Sequence, residues 1–221
     1  MNKMRTMIAL LCALNINANA QANDVTLGGD AAVGYRSDYI FRGETRAQKS
    51  LHLGVGASAR VKDVTVFTDI TTNQPDTGAD FTLTTVGIGY EFADSLLAVY
   101  GGFLNQKDDL DGSELDVFIT GQLNTDITLR GTLYRNTDDE LYTFEASASK
   151  TFNIDQLGVG LNISLDGGTT EELGNTRTYY GGTASVTKQL GAMELEIGGT
   201  LIDTDESKSE EVFFAGLNYS F

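Results

Sequence analysis

From Val212 to the chain end the sequence reads VFFAGLNYSF, in which Phe213, Ala215, Leu217, Tyr219 and Phe221 alternate with Phe214, Gly216, Asn218 and Ser220. A period of two predicts a β-strand with one apolar face and one small, polar face, Phe214 excepted. An aromatic-rich strand left as a bare edge invites aggregation, whereas a barrel that closes on its own first strand has no edge. The same period recurs along the chain. Leu27, Gly29, Ala31, Val33 and Tyr35 alternate with Gly28, Asp30, Ala32, Gly34 and Arg36. Leu51, Leu53, Val55, Ala57 and Ala59 alternate with His52, Gly54, Gly56, Ser58 and Arg60. Further strands are predicted over 64–70, 85–92, 96–104, 114–123, 127–134, 142–149, 157–164, 179–186 and 193–201. The stretch 96–104 is apolar on both faces, so its orientation stays open.

The pattern therefore predicts an all-β protein, a transmembrane antiparallel up-and-down β-barrel of about 12 strands, each of about ten residues, the length a tilted strand needs to cross the hydrocarbon. The connections alternate. Short turns fall near 62, 94, 125, 154 and 190, and longer polar loops near 44, 76, 109, 138, 171 and 207, the first of them from roughly Asp38 to Lys49. Short on one side and long on the other is the build of a bacterial outer-membrane barrel. A soluble sandwich would bury its apolar face. Here the opposite face is Gly, Ser, Thr, Glu and Arg, too small and too polar for a core, so the Leu, Val and Ile face is expected to look outward to lipid.

Aromatic positions add to this. Tyr90, Phe92, Phe152, Tyr219 and Phe221 fall at the short-turn ends; Tyr35, Phe103, Tyr142, Tyr180 and Phe213 fall at the long-loop ends. Two belts are expected at two membrane interfaces. Composition agrees: the 221 residues hold one Pro, which suits many hydrogen-bonded strands. Mean hydropathy is −0.14, and no apolar run is long enough for a transmembrane helix.

The first residues read as an export signal over 1–20, cleaved to leave 21–221 as the barrel. Lys3 and Arg5 precede the apolar run Met7–Leu14, and Ala18-Asn19-Ala20 has the form of a cleavage site. Leu11 stands before Cys12, where a lipoprotein signal needs a small residue, and cleavage leaves no cysteine and no disulfide framework. Loss of Lys3 and Arg5 takes the basic count from 15 to 13 against 31 acidic residues, and the net charge from −16 to −18. Nucleic acid is thus a poor partner, because phosphate binding needs a basic patch.

Between Tyr35 and Arg46 the chain reads YRSDYIFRGETR. This segment resembles the TorF-type family of outer-membrane porins, whose signature is a Ser-Asp-Tyr-x-Phe-Arg-Gly stretch after a first strand, here Ser37 to Gly43. The resemblance implies a porin; it carries no substrate and no catalytic residue. Arg36, Asp38 and Arg42 fall on one face of this segment, and Tyr35, Tyr39 and Phe41 on the other. Two roles fit: a loop that folds in and sets selectivity, or a clamp of the first strand against its neighbours. The clamp is the plainer expectation.

Charges predicted on the inner face are Asp30, Arg36, Arg60, Asp69, Glu91, Glu114, Asp116, Arg130, Glu145, Arg177, Glu194 and Glu196. With Asp38 and Arg42, the subset Arg36, Arg60, Glu114, Asp116, Arg130, Glu145, Arg177, Glu194 and Glu196 forms the candidate lumen and selectivity set. Many inner Gly and Ser residues leave room for water, so a narrow channel for passive diffusion of small solutes is expected. Acidic charges exceed basic ones inside, and in the outer loops at Asp108, Asp109, Asp111, Asp138, Asp139, Glu140, Glu171, Glu172, Asp205, Glu206, Glu210 and Glu211. Rings of carboxylates favour cations, which predicts a modest cation preference. The loops can equally keep the surface soluble or bridge lipopolysaccharide through divalent cations.

Two other classes compete. One is a non-conducting structural or receptor-like barrel. The other is a barrel hydrolase, for which His52, Ser50 on the same face and Asp38 are the candidates; a lone histidine without a local signature is far more often structural. No metal, phosphate-loop or nucleotide motif is present, so no cofactor is expected. The expected partners are outer-membrane lipid, lipopolysaccharide, small solutes and the outer-membrane assembly machinery, for which the terminal Phe221 is the candidate signal.

Overall fold

The computed structural model describes residues 25–221 except 78, 93, 109–111, 173 and 206–208. The signal segment with Cys12, and Asp109, Asp111 and Glu206 of the outer loops, lie outside the described residues. Among the described residues twelve strands form one closed barrel: β1 (Val25–Phe41), β2 (Glu44–Val61), β3 (Val64–Pro75), β4 (Phe81–Phe92), β5 (Leu97–Asp108), β6 (Gly112–Asn124), β7 (Thr128–Asn136), β8 (Tyr142–Ile154), β9 (Val159–Glu172), β10 (Asn175–Leu190), β11 (Met193–Thr204) and β12 (Glu210–Ser220). Each strand pairs antiparallel with its chain neighbours, and β12 returns to β1 in the register Asp30↔Ser220 to Arg36↔Phe214.

The alternation decides which way each residue points. Leu165 is 65% exposed and Phe213 64%, with Val66, Ile88, Ile119 and Ile197 in the same outward set. Thr120, Thr132, Asp116 and Asn73, of the opposite parity, are buried inside. An apolar exterior around a polar interior is the reverse of a water-soluble barrel and matches a bilayer as solvent. The aromatic residues of both expected belts, Tyr90, Phe92, Phe152, Tyr219 and Phe221 at one end and Tyr35, Phe103, Tyr142, Tyr180 and Phe213 at the other, are exposed. The ambiguous stretch is β5, where Leu97 and Phe103 point out and the alternate positions Ala98 and Leu104 are buried inside.

The connections near 44, 109 and 171 differ from the expectation, because strand arms run on through most of each before the turn. By contrast β7 ends at Asn136 with β8 starting at Tyr142, and β11 ends at Thr204 with β12 starting at Glu210, where loops are expected. The loop expected over Asp38 to Lys49 is a hairpin: the β1–β2 ladder runs on to Phe41↔Glu44. Arg42 and Gly43 close it with φ of 53° and 75°, the paired positive φ of a two-residue hairpin turn that matches strand twist. Likewise β9 and β10 extend to Glu172 and from Asn175, through the stretch expected as a loop.

Two irregularities bend the β1–β2 hairpin. The ladder skips the position of Ser37 and Lys49, where Lys49 has φ of 48°. It then shifts register between Tyr39 and Ile40, so that Arg46 is the extra residue of a bulge. Bulges bend a strand and re-aim its side chains. Tyr39 and Phe41 therefore do not stay on the outward face with Tyr35. They pack on Phe81, with ring centroids 5.7 Å away in each case. Phe81 and Leu83 share parity with Thr85 and Glu91 and so stand on the inner wall of β4. Tyr39, Ala47 and Phe81 are buried together, with Phe41 and Leu83 against them. The hairpin is thereby held inside the mouth of the barrel.

Candidate functional site

The tip of the β1–β2 hairpin crosses the lumen. Arg42 Nη2 donates to Asp116 Oδ2 on β6 at 2.6 Å, with side-chain exposures of 11% and 0%. Gln106 of β5 donates to the same oxygen at 2.8 Å. The Arg42 guanidinium lies 4.5 Å from the ring centre of Tyr134 on β7 and 4.9 Å from that of Phe41. Strand β7 is as far round the barrel from β1 as any strand. A clamp of the first strand on its neighbours would not reach it.

The other side of the tip meets β10 and β12. Glu44 accepts from Arg46 at 2.8 Å and lies 3.4 Å from Arg177 Nη1, which pairs through Nη2 with Glu172 at 2.7 Å. Thr45 hydrogen-bonds Glu210. Gly43 backs onto Tyr179: a Cβ there would sit 2.9 Å from the Tyr179 Cβ, so only glycine fits both this contact and its positive φ. The Tyr179 hydroxyl donates to Glu145 at 2.5 Å. Tyr134, Glu145 and Tyr179 line one space beside the tip, and Arg42 and Tyr134 line another.

The predicted charges divide by height. Glu114 and Arg177 line an upper cavity of about 240 Å³ with Arg42, Glu44 and Arg46. Arg130 and Glu145, with Asp166, line a cavity of about 210 Å³ beneath it. Glu194 lines a third space of about 460 Å³ at the short-turn end. Arg60 pairs with Glu91 at 2.9 Å at that same end, remote from the hairpin tip. Glu196 accepts from Ser185 at 2.7 Å. Arg36 points inward with its guanidinium 5.5 Å from the Tyr39 ring centre, and Asp38 stands on the hairpin opposite Gln48. Arg42 and Asp116, Arg130 and Glu145, and Glu114 and Arg177 are thus brought together; Arg36, Asp38, Arg60, Glu194 and Glu196 are not part of one cluster.

Phe221 closes the seam. Its N–H donates to Gly29 O, and Gly29 N–H donates to Phe221 O, each at 2.9 Å. Its ring lies over Gly29, where a Cβ would meet Phe221 Cζ at 2.5 Å.

A further set was not singled out from the sequence: the inner-wall aromatics. Phe67, Tyr100, Leu104, Phe118 and Tyr134 line a cavity of about 340 Å³ with Arg130 and Gln122. Their signal was parity, since each occupies the inner position of its strand among small and polar residues. His52 Nδ1 is 3.0 Å from Asn73 Oδ1, and Ser50 is buried with its hydroxyl unpartnered. Among the described residues no group of three or more His, Cys, Asp and Glu side chains is placed to hold a metal ion.

No protein-family model matches the chain, and no curated protein matches it in sequence. Solved structures do match. A KdgM porin in complex with disordered oligogalacturonate superposes with a TM-score of 0.60 at 12% identity, over 88% of this chain and 99% of that one. The shared fold is the closed antiparallel β-barrel. The COG4313 outer-membrane channel from Pseudomonas putida F1 gives a TM-score of 0.58 at 10% identity, over 93% and 98% of the two chains. The NanC porin gives 0.57 at 10% identity, over 86% and 98%. At such identities the likeness is one of architecture, and the lumen chemistry of this chain has to be read from its own residues.

Proposed function

We propose that the protein is an outer-membrane porin of the TorF type: a narrow, water-filled channel for passive diffusion of small solutes, with the folded-in β1–β2 hairpin as its constriction. The observation that carries this reading is the crossing of the lumen by that hairpin, pinned by Arg42 on Asp116 and by Tyr39 and Phe41 on Phe81, with polar cavities above and below it. A merely structural barrel has no need of an ordered crossbar flanked by charge-lined space. The apolar belt takes outer-membrane lipid, the acidic outer loops bridge lipopolysaccharide through divalent cations, and the assembly machinery reads Phe221.

A modest cation preference follows from the charges left over. Arg42, Arg46, Arg60 and Arg177 each pair with a carboxylate. Among the described residues this leaves Arg36 and Arg130 facing Asp30, Asp69, Glu114, Glu145, Asp166, Glu194 and Glu196. Surplus carboxylates raise the local cation concentration. Oligogalacturonate, held by one neighbour of the same fold, is a polyanion; this lumen disfavours such a solute. Hydrolysis is not supported, because His52 is engaged by Asn73 and neither an acid nor the Ser50 hydroxyl is its partner. The test is the reversal potential of the refolded 21–221 protein in a planar bilayer under a potassium chloride gradient. A potential of the cation-selective sign is expected. Anion selectivity would overturn the preference, and a silent bilayer the channel.

A further inference from the structure

Two of the cavities in the lumen adjoin, sharing part of one wall. The larger, about 340 Å³, is walled by Phe67, Tyr100, Phe118 and Tyr134. The smaller, about 210 Å³, is walled by Glu145 and Asp166. Arg130 and Tyr134 line both.

On the aromatic side, two rings pack over glycines of β4. A Cβ on Gly87 would sit 2.5 Å from Phe67 Cζ, and one on Gly89 would sit 2.3 Å from the Tyr100 ring. The two rings therefore occupy the space that two side chains would fill, and their exposed parts face the lumen. Phe67 and Tyr100 meet edge-on at 6.1 Å, and Phe118 and Tyr134 are tilted at 6.0 Å. The four rings, from β3, β5, β6 and β7, line one cavity and offer an aromatic solute edge and face contacts.

The charged side is not neutralised from within. Among the described residues Arg130, like Arg36, makes no ion pair, whereas Arg42, Arg46 and Arg177 each do. Glu145 and Asp166 accept from neutral hydroxyls, Tyr179 at 2.5 Å and Ser164 at 3.0 Å, and not from a cation. Charges that line water need no internal partner, so this guanidinium and the two carboxylates stay open to a solute. Held apart, they present a guanidinium fork for a carboxylate and two acceptors for an ammonium group.

We infer that the adjoining cavities form a binding step for small aromatic zwitterions of the amino-acid type: ring against Phe67, Tyr100, Phe118 and Tyr134, carboxylate on Arg130, ammonium on Glu145 and Asp166. This rests on the porin reading and adds the solute class to it.

The test is block of potassium current through the refolded 21–221 protein by L-phenylalanine, phenethylamine, 3-phenylpropionate and glycine. Phenylalanine is expected to block at a concentration about tenfold below each of the others, the size of one charge-assisted or stacking contact. Arg130→Gln should erase its margin over phenethylamine, Asp166→Asn its margin over 3-phenylpropionate, and Phe118→Leu its margin over glycine. Equal or stronger block by phenethylamine or 3-phenylpropionate in the unaltered channel would overturn the inference, whatever the variants do. Potassium current without any preference for phenylalanine overturns this inference alone. Absence of current overturns the porin reading and this inference with it.

Discussion

Arg42 and Asp116 are 74 residues apart in sequence and 2.6 Å apart across the lumen. The pair joins the tip of the first hairpin to the inner face of β6, and Asp116 is fully shielded from solvent. Nearly every other hydrogen bond of the barrel wall runs between adjacent strands. This one holds an element across the opening, so its loss is expected to free the hairpin before it disturbs the wall.

Asp116→Ala removes the acceptor of both Arg42 and Gln106. A buried charge left without its partner is destabilising locally by about 3–5 kcal/mol. The hairpin tip should then leave its seat, and single-channel currents should become larger and noisier while the barrel still forms. Recordings with the size and noise of the unaltered protein would count against the crossbar.

The apolar anchor can be tested separately. Phe81 is 2% exposed and touches both Tyr39 and Phe41. Truncating a buried Phe costs about 3–5 kcal/mol. In Phe81→Ala, trypsin added from the outer side should cut at Arg42 or Arg46 much faster than in the unaltered barrel. Equal protection would show that the cluster does not hold the hairpin.

Gly89 tests the packing of the inner aromatics. A Cβ there has its three nearest neighbours in the Tyr100 ring, the first at 2.3 Å. Gly89→Val should swing that ring off the wall and reduce conductance, and adding Tyr100→Ala to the same chain should restore it. A reduction that persists in the double variant would mean that the wall itself had been distorted.

The seam gives a prediction about assembly. Phe221 contributes two backbone hydrogen bonds to Gly29 and covers it with its ring. Deleting Phe221 should lower the fraction of heat-modifiable, membrane-inserted barrel, with channels that do assemble conducting normally. Full assembly without Phe221 would remove its role as a signal.

Much of this architecture is legible in the sequence, because a barrel wall has two solvents and a strand alternates between them. Leu217 and Tyr219 against Asn218 and Ser220 already state the strand, its two faces and its partner. What sequence reading misses is where alternation carries a second message. Phe81 and Leu83 occupy inner positions of β4, an odd place for large apolar groups unless something packs on them. Arg42-Gly43 looks like part of a polar loop because a tight turn closed by a charged residue and a glycine has the same composition as one. Phe67, Tyr100 and Phe118 likewise sit on the polar parity, and only the glycines across from two of them leave them space. The inner charges were identifiable one by one; their partners were not, since Arg42 with Asp116 and Thr45 with Glu210 depend on how a bent hairpin crosses the barrel.

On the proposed reading the β1–β2 hairpin narrows an open channel. The most direct test is single-channel conductance of the refolded 21–221 protein beside a variant in which residues 38–49 are replaced by a tight two-residue turn. Discrete steps from the unaltered protein, and distinctly larger steps from the shortened one, are the predicted result. Steps of equal size would contradict the hairpin as constriction, and silence from both would contradict the channel.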